Sequence, residues 1–169
     1  GENLSGTPWN VYPRPQMRRD SWLNLNGQWN YGITPASAEN FTPEGKILVP
    51  FAIESSLSGV GRMVGKDNAL WYERSFSLPK NWKGQNVILH FGAVDWKAEV
   101  WVNGYYVGEH SGGFDPFHFD VTPYLAKSGQ QSVVVKVWDG TDSSWLPRGK
   151  QVENPAYIWY TPVTGIWQT

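Results

Sequence analysis

The stretch Lys97-Ala98-Glu99-Val100-Trp101-Val102-Asn103-Gly104-Tyr105-Tyr106-Val107-Gly108 decides the class of fold. Ala98, Val100 and Val102 fall in one phase and Lys97, Glu99 and Trp101 in the other. That period of two is what a half-buried strand requires. Asn103-Gly104 then supplies two consecutive residues that tolerate positive φ, as a type I′ hairpin turn demands. Tyr105-Tyr106-Val107 resumes the β-rich pattern. The twelve residues predict a tight β-hairpin.

The same period recurs on both sides. Gly27 to Ile33 alternates large apolar with polar or small residues. Tyr72, Arg74, Phe76 and Leu78 share one face of a second run, with Glu73, Ser75 and Ser77 on the other. Val87, Leu89 and Phe91 are in phase in a third, and Val133, Val135 and Val137 in a run from Gln131 to Asp139. No eleven-residue window carries a helical stripe. Thr122-Pro123-Tyr124-Leu125 predicts one helical turn, with Thr at a capping position and Pro in the first turn. Short strands with Pro- and Gly-bearing connections at close spacing predict an all-β sandwich or jelly roll.

The composition agrees. The chain has 169 residues, 40% hydrophobic, 15% aromatic and 17% charged. That length suits one domain burying roughly 70% of its unfolded surface. No run approaches about 18 apolar residues, so no membrane span is expected. A net charge of −1 gives no overall electrostatic signature for nucleic acid. The absence of Cys excludes thiol catalysis, Cys-type zinc sites and disulfides. The 11 tryptophans point to an aromatic core or an aromatic binding surface.

Residues 1–21 read as an extended tail, with Pro8, Pro13 and Pro15 removing backbone donors and Arg14, Arg18 and Arg19 keeping it solvated. Residues 22–169 read as the domain. The tail has no apolar run before a small-residue cleavage site, so an export signal has been removed or was never there. A bacterial periplasmic or secreted setting is the expectation. Residues 140–164 form a long loop, and loops beyond about 12–15 residues are usually functional or disordered. Their aromatics and prolines argue for order. Gly165-Ile166-Trp167-Gln168-Thr169 starts another strand-like alternation, which predicts a domain boundary close by.

The chemistry these residues offer is sparse. Paired carboxylates are the usual machinery of glycoside hydrolysis. Asp115 and Asp120 sit at turn positions where the side chain bonds local backbone. Asp139, paired in sequence with Asp142, ends a buried strand and opens the long loop, which makes it a candidate. His90, His110 and His118 are scattered, and no Ser lies in a Gly-x-Ser-x-Gly elbow. No metal site and no cofactor are expected from that pattern, although calcium held by loop oxygens leaves little local signature. Gly59-Val60-Gly61-Arg62 and Gly112-Gly113 read as loop corners. Trp138, Trp145, Trp159 and Tyr160 cluster around the long loop, where they are placed to stack on a sugar ring. Trp29, Trp71 and Trp101 lie within strands and read as packing.

Several blocks are similar to one family. Leu23-Asn24-Leu25-Asn26-Gly27-Gln28-Trp29, Val49-Pro50-Phe51 with Glu54-Ser55, and Trp71-Tyr72-Glu73-Arg74-Ser75-Phe76 come first. Phe91-Gly92-Ala93-Val94-Asp95 with Ala98 to Gly104, then Val107 to Phe114 with Pro116-Phe117 and Asp120-Val121-Thr122, follow. Pro147-Arg148-Gly149-Lys150-Gln151 and Ile158-Trp159-Tyr160-Thr161 leading to Gly165-Ile166-Trp167-Gln168 complete the series. In that order they resemble the N-terminal sugar-binding domain of glycoside hydrolase family 2, in its β-galactosidase-like branch, over residues 22–169.

The resemblance implies a galactose-binding-like jelly roll standing before an immunoglobulin-like domain and a (β/α)₈ barrel. The catalytic glutamates of such retaining exo-β-glycosidases lie on the barrel, so no catalytic residue is expected in this chain. It implies that Asp139-Gly140 reaches the barrel pocket and helps hold a terminal β-linked sugar. Trp159 occupies the place of an acidic substrate-binding residue in glucuronide-acting members, and Arg148 and Lys150 belong to a motif of the branch. Asp139, Trp159, Trp145 and Arg148 are therefore the candidate substrate-binding residues. The alternatives are an independent carbohydrate-binding module with an aromatic platform, and a purely structural interface domain.

Overall fold

A computed structural model describes residues 6–169. Among them every long element is a strand, and the helical pieces are single 3-10 turns such as Pro15–Met17 and Thr122–Tyr124. The hairpin predicted at Asn103-Gly104 is present. β6 (Lys97–Val102) and β7 (Tyr105–Ser111) flank it, and Asn103 and Gly104 both have positive φ, 51° and 82°. The side chain of Asn103 adds what the turn motif did not disclose. Its Nδ2 donates to the Tyr124 carbonyl and to Gln131 Oε1, and its Oδ1 accepts from the Ser132 amide.

The other strands are β1 (Gly27–Pro35), β2 (Gly45–Val49), β3 (Asn68–Phe76), β4 (Ile88–Phe91), β5 (Val94–Asp95), β8 (Phe117–Asp120), β9 (Gln131–Trp138) and β10 (Gly165–Ile166). Six make one sheet in the order β2-β1-β3-β9-β6-β7. All its pairings are antiparallel. The opposing layer is built from two two-stranded pieces, β4–β8 and β5–β10. The result is an all-β sandwich.

The alternation read from the sequence sets which face is buried. Val133, Val135, Val137, Ala98, Val100, Val102, Leu70 and Tyr72 are fully buried on the inner face of the large sheet. Phe91, Val94, Phe117, Val121 and Ile166 meet them from the other layer. Burying one such side chain is worth about 1.5–3 kcal/mol, so this seam supplies most of the favourable term. Trp29 and Trp71 are buried, as expected of framework tryptophans. Trp71 and Trp101 lie on the outer face, where Phe41, Trp71 and Trp101 stack in sequence at 5.3 and 5.8 Å between centroids.

Two local readings change. Residues 6–21 contain no strand, but they are fastened to the domain rather than simply solvated. Trp9 meets Phe51 edge-on at 5.4 Å, and the carbonyl of Pro8 accepts from Asn26 Nδ2. The turn at 122–124 is also present, yet Thr122 does not cap it. Its Oγ1 instead accepts from the Val87 amide, tying the turn to the segment before β4.

Candidate functional site

β9 delivers the chain into the long loop at Asp139, and β10 takes it back. The loop between them is ordered by its own hydrogen bonds. Lys150 to Val152 and Tyr160 form a short parallel bridge, in which the Tyr160 amide donates to the Lys150 carbonyl and the Val152 amide to the Tyr160 carbonyl. Gln151 points inward, where its Oε1 accepts from the Val163 amide at 2.6 Å. A long loop rich in Trp, Tyr and Pro thus holds one conformation.

What fastens it to the sandwich is a cluster of three carboxylates. Asp139 is buried, and its Oδ1 accepts from the Thr141 amide at 2.7 Å. Its Oδ2 accepts from the hydroxyls of Thr141 at 2.9 Å and Thr164 at 3.2 Å. Glu54, on the segment after β2, accepts from the Thr164 amide at 2.9 Å. Asp95 ends β5, is buried, and accepts from Gln151 Nε2 at 3.4 Å. None of the three forms an ion pair with a described Lys, Arg or His. Burial, together with mutual repulsion that includes the Asp139 charge, holds Glu54 and Asp95 at pKa values of about 7. Near neutral pH the cluster therefore retains protons, which lets buried carboxyls lie side by side.

The four candidates from the sequence are distributed over two environments. Asp139 is interior, with both carboxylate oxygens already accepting from the loop, so its immediate work is to hold residues 141 and 164. Trp159 and Trp145 are exposed, whereas Arg148 is half-buried and its Nη1 donates to the Gln151 carbonyl. Trp159 is partly exposed, and the Arg148 guanidinium sits over its ring at 5.6 Å. Lys150 lies over Tyr160 at 5.9 Å in the same manner. Trp145 is fully exposed and, with Arg148, lines a shallow concavity of about 680 Å³ between Asp142 and Gly149. Trp138, in contrast, donates its Nε1–H to the Lys66 carbonyl at 2.7 Å.

Sequence reasoning missed Glu54, Asp95, Thr141, Gln151 and Thr164 as partners. Thr141 is two residues from Asp139, but Glu54, Asp95, Gln151 and Thr164 come from segments far apart along the chain that meet only in the folded sandwich. No cluster of three or more His, Cys, Asp or Glu suited to a metal ion occurs among the described residues. The helical pieces are too short to cross a membrane.

The class the structure defines is an all-β sandwich with an aromatic-bearing loop running from β9 to β10. The particular family follows from comparison: the description "Glycosyl hydrolases family 2, sugar binding domain" matches residues 48–163, and the chain belongs to that family. A Paenibacillus borealis protein named beta-glucuronidase is 36% identical over 150 residues, covering 83% of this chain and 24% of the relative. A Thermoanaerobacter pseudethanolicus protein named beta-galactosidase is 36% identical over 77 residues, covering 46% of this chain and 10% of the relative. Among solved structures, the Faecalibacterium prausnitzii beta-glucuronidase superposes with a TM-score of 0.58 at 32% identity, over 69% of this chain and 20% of that one. Across the first curated relatives the chain spans between 8% and 31% of their length.

Proposed function

We propose that this chain is the non-catalytic N-terminal domain of a retaining exo-β-glycosidase that releases a terminal β-linked sugar. The observation that carries this is the long loop, ordered and fastened from beneath by Asp139, Glu54 and Asp95, with Trp159, Trp145 and Tyr160 exposed and Arg148 over the Trp159 ring. In this reading the catalytic glutamates belong to a barrel domain of the same protein, and an immunoglobulin-like domain stands between. The loop rims the pocket, with Trp159 and Arg148 nearest the sugar. Asp139 acts through the loop rather than on the sugar. The beta-galactosidase and beta-glucuronidase names among relatives make a β-galactoside or a β-glucuronide the substrates to try.

The test compares hydrolysis of nitrophenyl β-galactoside and nitrophenyl β-glucuronide by the 169-residue chain and by the intact parent protein. The chain alone is expected to be inactive. In the parent, Trp159→Ala is expected to raise KM about tenfold with kcat little changed, the pattern of lost uniform binding. Turnover by the chain alone, abolished by Asp139→Ala, would overturn the reading.

The full exposure of Trp145 and Tyr157 favours a second reading, an aromatic platform that binds sugar without a partner domain. It predicts a sugar-dependent shift in tryptophan fluorescence of the isolated chain that disappears in Trp145→Ala.

A further inference from the structure

Arg148 and Lys150 are the only cations in the sequence of the long loop, residues 140–164. Each stands over an aromatic ring. The Arg148 guanidinium lies 5.6 Å from the centroid of Trp159, and the Lys150 ammonium 5.9 Å from that of Tyr160. The two rings belong to consecutive residues, whose Cα atoms are about 3.8 Å apart. The hydrogen bonds that join residues 150–152 to Tyr160 hold the cation-bearing and ring-bearing arms of the loop side by side. This double strip is open to solvent, since Trp159 is 42% exposed, Tyr160 63%, and Lys150 is exposed with them. Arg148 also lines the concavity of about 680 Å³, together with Ser143, Ser144 and Trp145.

Neither cation forms an ion pair among the described residues. The loop's carboxylates beyond Asp139 are Asp142, whose Oδ1 accepts from the Glu153 amide at 3.4 Å, and Glu153, which is half-buried. Arg148 gives Nη1 to the Gln151 carbonyl, and the Lys150 ammonium makes no hydrogen bond among the described residues. A ring face steadies a cation without using its N–H donors. It also restrains a long side chain, so less freedom is lost when an acceptor arrives. Donors of this kind favour an anionic oxygen over a neutral hydroxyl, because a charge-assisted hydrogen bond is roughly twice as strong. Single-stranded nucleic acid also uses rings and cations. Two cations on a chain of net charge −1 supply little of the charge that a phosphate backbone requires.

We propose that the strip formed by Arg148 over Trp159 and Lys150 over Tyr160 binds an anionic sugar unit. The two cations take its carboxylate or sulfate group, and the exposed parts of the rings lie against its apolar face. The choice of a saccharide rests on the glycosidase reading above; its negative charge is argued from the strip itself.

The experiment is calorimetry of the 169-residue chain at low salt with three oligosaccharides of equal length: a galacturonate oligomer, a sulfated galactan oligomer and a neutral galactan oligomer. One of the anionic oligomers is expected to bind at least about tenfold more tightly than the neutral one. Which of them does so tells carboxylate from sulfate, and the advantage should shrink as salt is added. Lys150→Gln should weaken the preferred anionic oligomer about fivefold. Arg148→Gln/Lys150→Gln should abolish the preference and leave the neutral oligomer unaffected. A thermal melt confirms that each variant is folded, and Lys150→Gln keeps the test decisive if the loss of Arg148 loosens the loop. The proposal is overturned if neither anionic oligomer outbinds the neutral one, or if Lys150→Gln binds them like wild type. Equal binding of single-stranded oligothymidylate also overturns it. Such a failure leaves the glycosidase reading standing, since that reading is tested by hydrolysis with the chain and its parent, not by binding to the strip.

Discussion

A Cβ placed on Gly165 would fall 1.9 Å from the hydroxyl oxygen of Tyr72. Tyr72 is fully buried in the centre of the sandwich, and the same hydroxyl accepts the Ile166 amide at 3.2 Å. Glycine at 165 therefore lets β10 close against the core, and its φ of +96° lies where L side chains are rarely found.

Gly165→Ala should destabilise the chain by about 3 kcal/mol or more, combining overpacking with backbone strain. Tyr72→Phe removes the obstructing oxygen but leaves the Ile166 amide without its acceptor, a loss of about 1–3 kcal/mol. In the double variant the two losses should add to less than their sum, because the clash and the hydrogen bond share one atom. Urea denaturation of the four proteins measures this. Strict additivity would show that Gly165 and Tyr72 do not meet as described.

The carboxylates beneath the loop fix a pH dependence. Glu54 and Asp95 have folded-state pKa values of about 7, above the ordinary 4.5 and 3.8. The folded chain therefore binds more protons than the unfolded chain between about pH 4 and pH 7, and stability falls as pH rises through that window. Below the unfolded values the stability is fully present; above about pH 7 the loss is complete, on the order of 3 kcal/mol for each group. Thermal melts from about pH 5 to pH 8 should show Tm declining. Glu54→Gln and Asp95→Asn should each flatten the decline. A Tm that rises across this range would refute the assignment.

Much of the fold was legible because its signals are local. Alternation identified β1, β3, β6 and β9, and Asn103-Gly104 identified the turn, since strand period and turn conformation depend on near neighbours. The end of the sandwich was legible only in part. Asp139 stood out because it closes a strand and Trp159 because it lies on a long loop, while Arg148 was marked only by the family motif. Glu54 and Asp95 carry no local sign of their role, since a carboxylate among turn residues looks like any solvated one. Their burial arises from strand crossings that bring distant segments together. The facing of His90 and His118 across β4 and β8 is equally a matter of register, which period alone does not specify.

Arg74 illustrates the same limit. It shares a phase with Tyr72 and Phe76, and the reason lies at the start of β1. Its Nη1 donates to the carbonyls of Leu25 and Asn26 at 2.8 and 2.9 Å, and the guanidinium stands 6.0 Å from the Trp29 ring. Arg74→Met keeps the aliphatic stem but removes the cation from the ring. It also takes the guanidinium donor from the Asn26 carbonyl and one of two donors from the Leu25 carbonyl, which keeps the Trp29 Nε1–H. A destabilisation of about 2–3 kcal/mol is expected in urea, with Arg74→Lys recovering less than half of it because a compact, strongly hydrated ammonium does not replace the planar guanidinium beside the Trp29 ring. Full recovery by lysine would mean that charge alone matters at this position.

Thr164 is the one residue of the loop that bonds two of the three carboxylates, through its amide to Glu54 and its hydroxyl to Asp139. Thr164→Val keeps the shape and the amide bond but leaves Asp139 with one donor fewer on Oδ2. Hydrogen exchange is the suitable probe, because local opening of a loop registers there before global unfolding does. Amides at Thr141, Val152, Tyr160 and Val163 should exchange about tenfold faster in the variant, corresponding to about 1.4 kcal/mol of lost local protection. Those of Val133, Val135 and Val137 in β9 should change much less. Equal acceleration in both groups would place Thr164 in the global folding unit and separate the loop's order from the carboxylates beneath it.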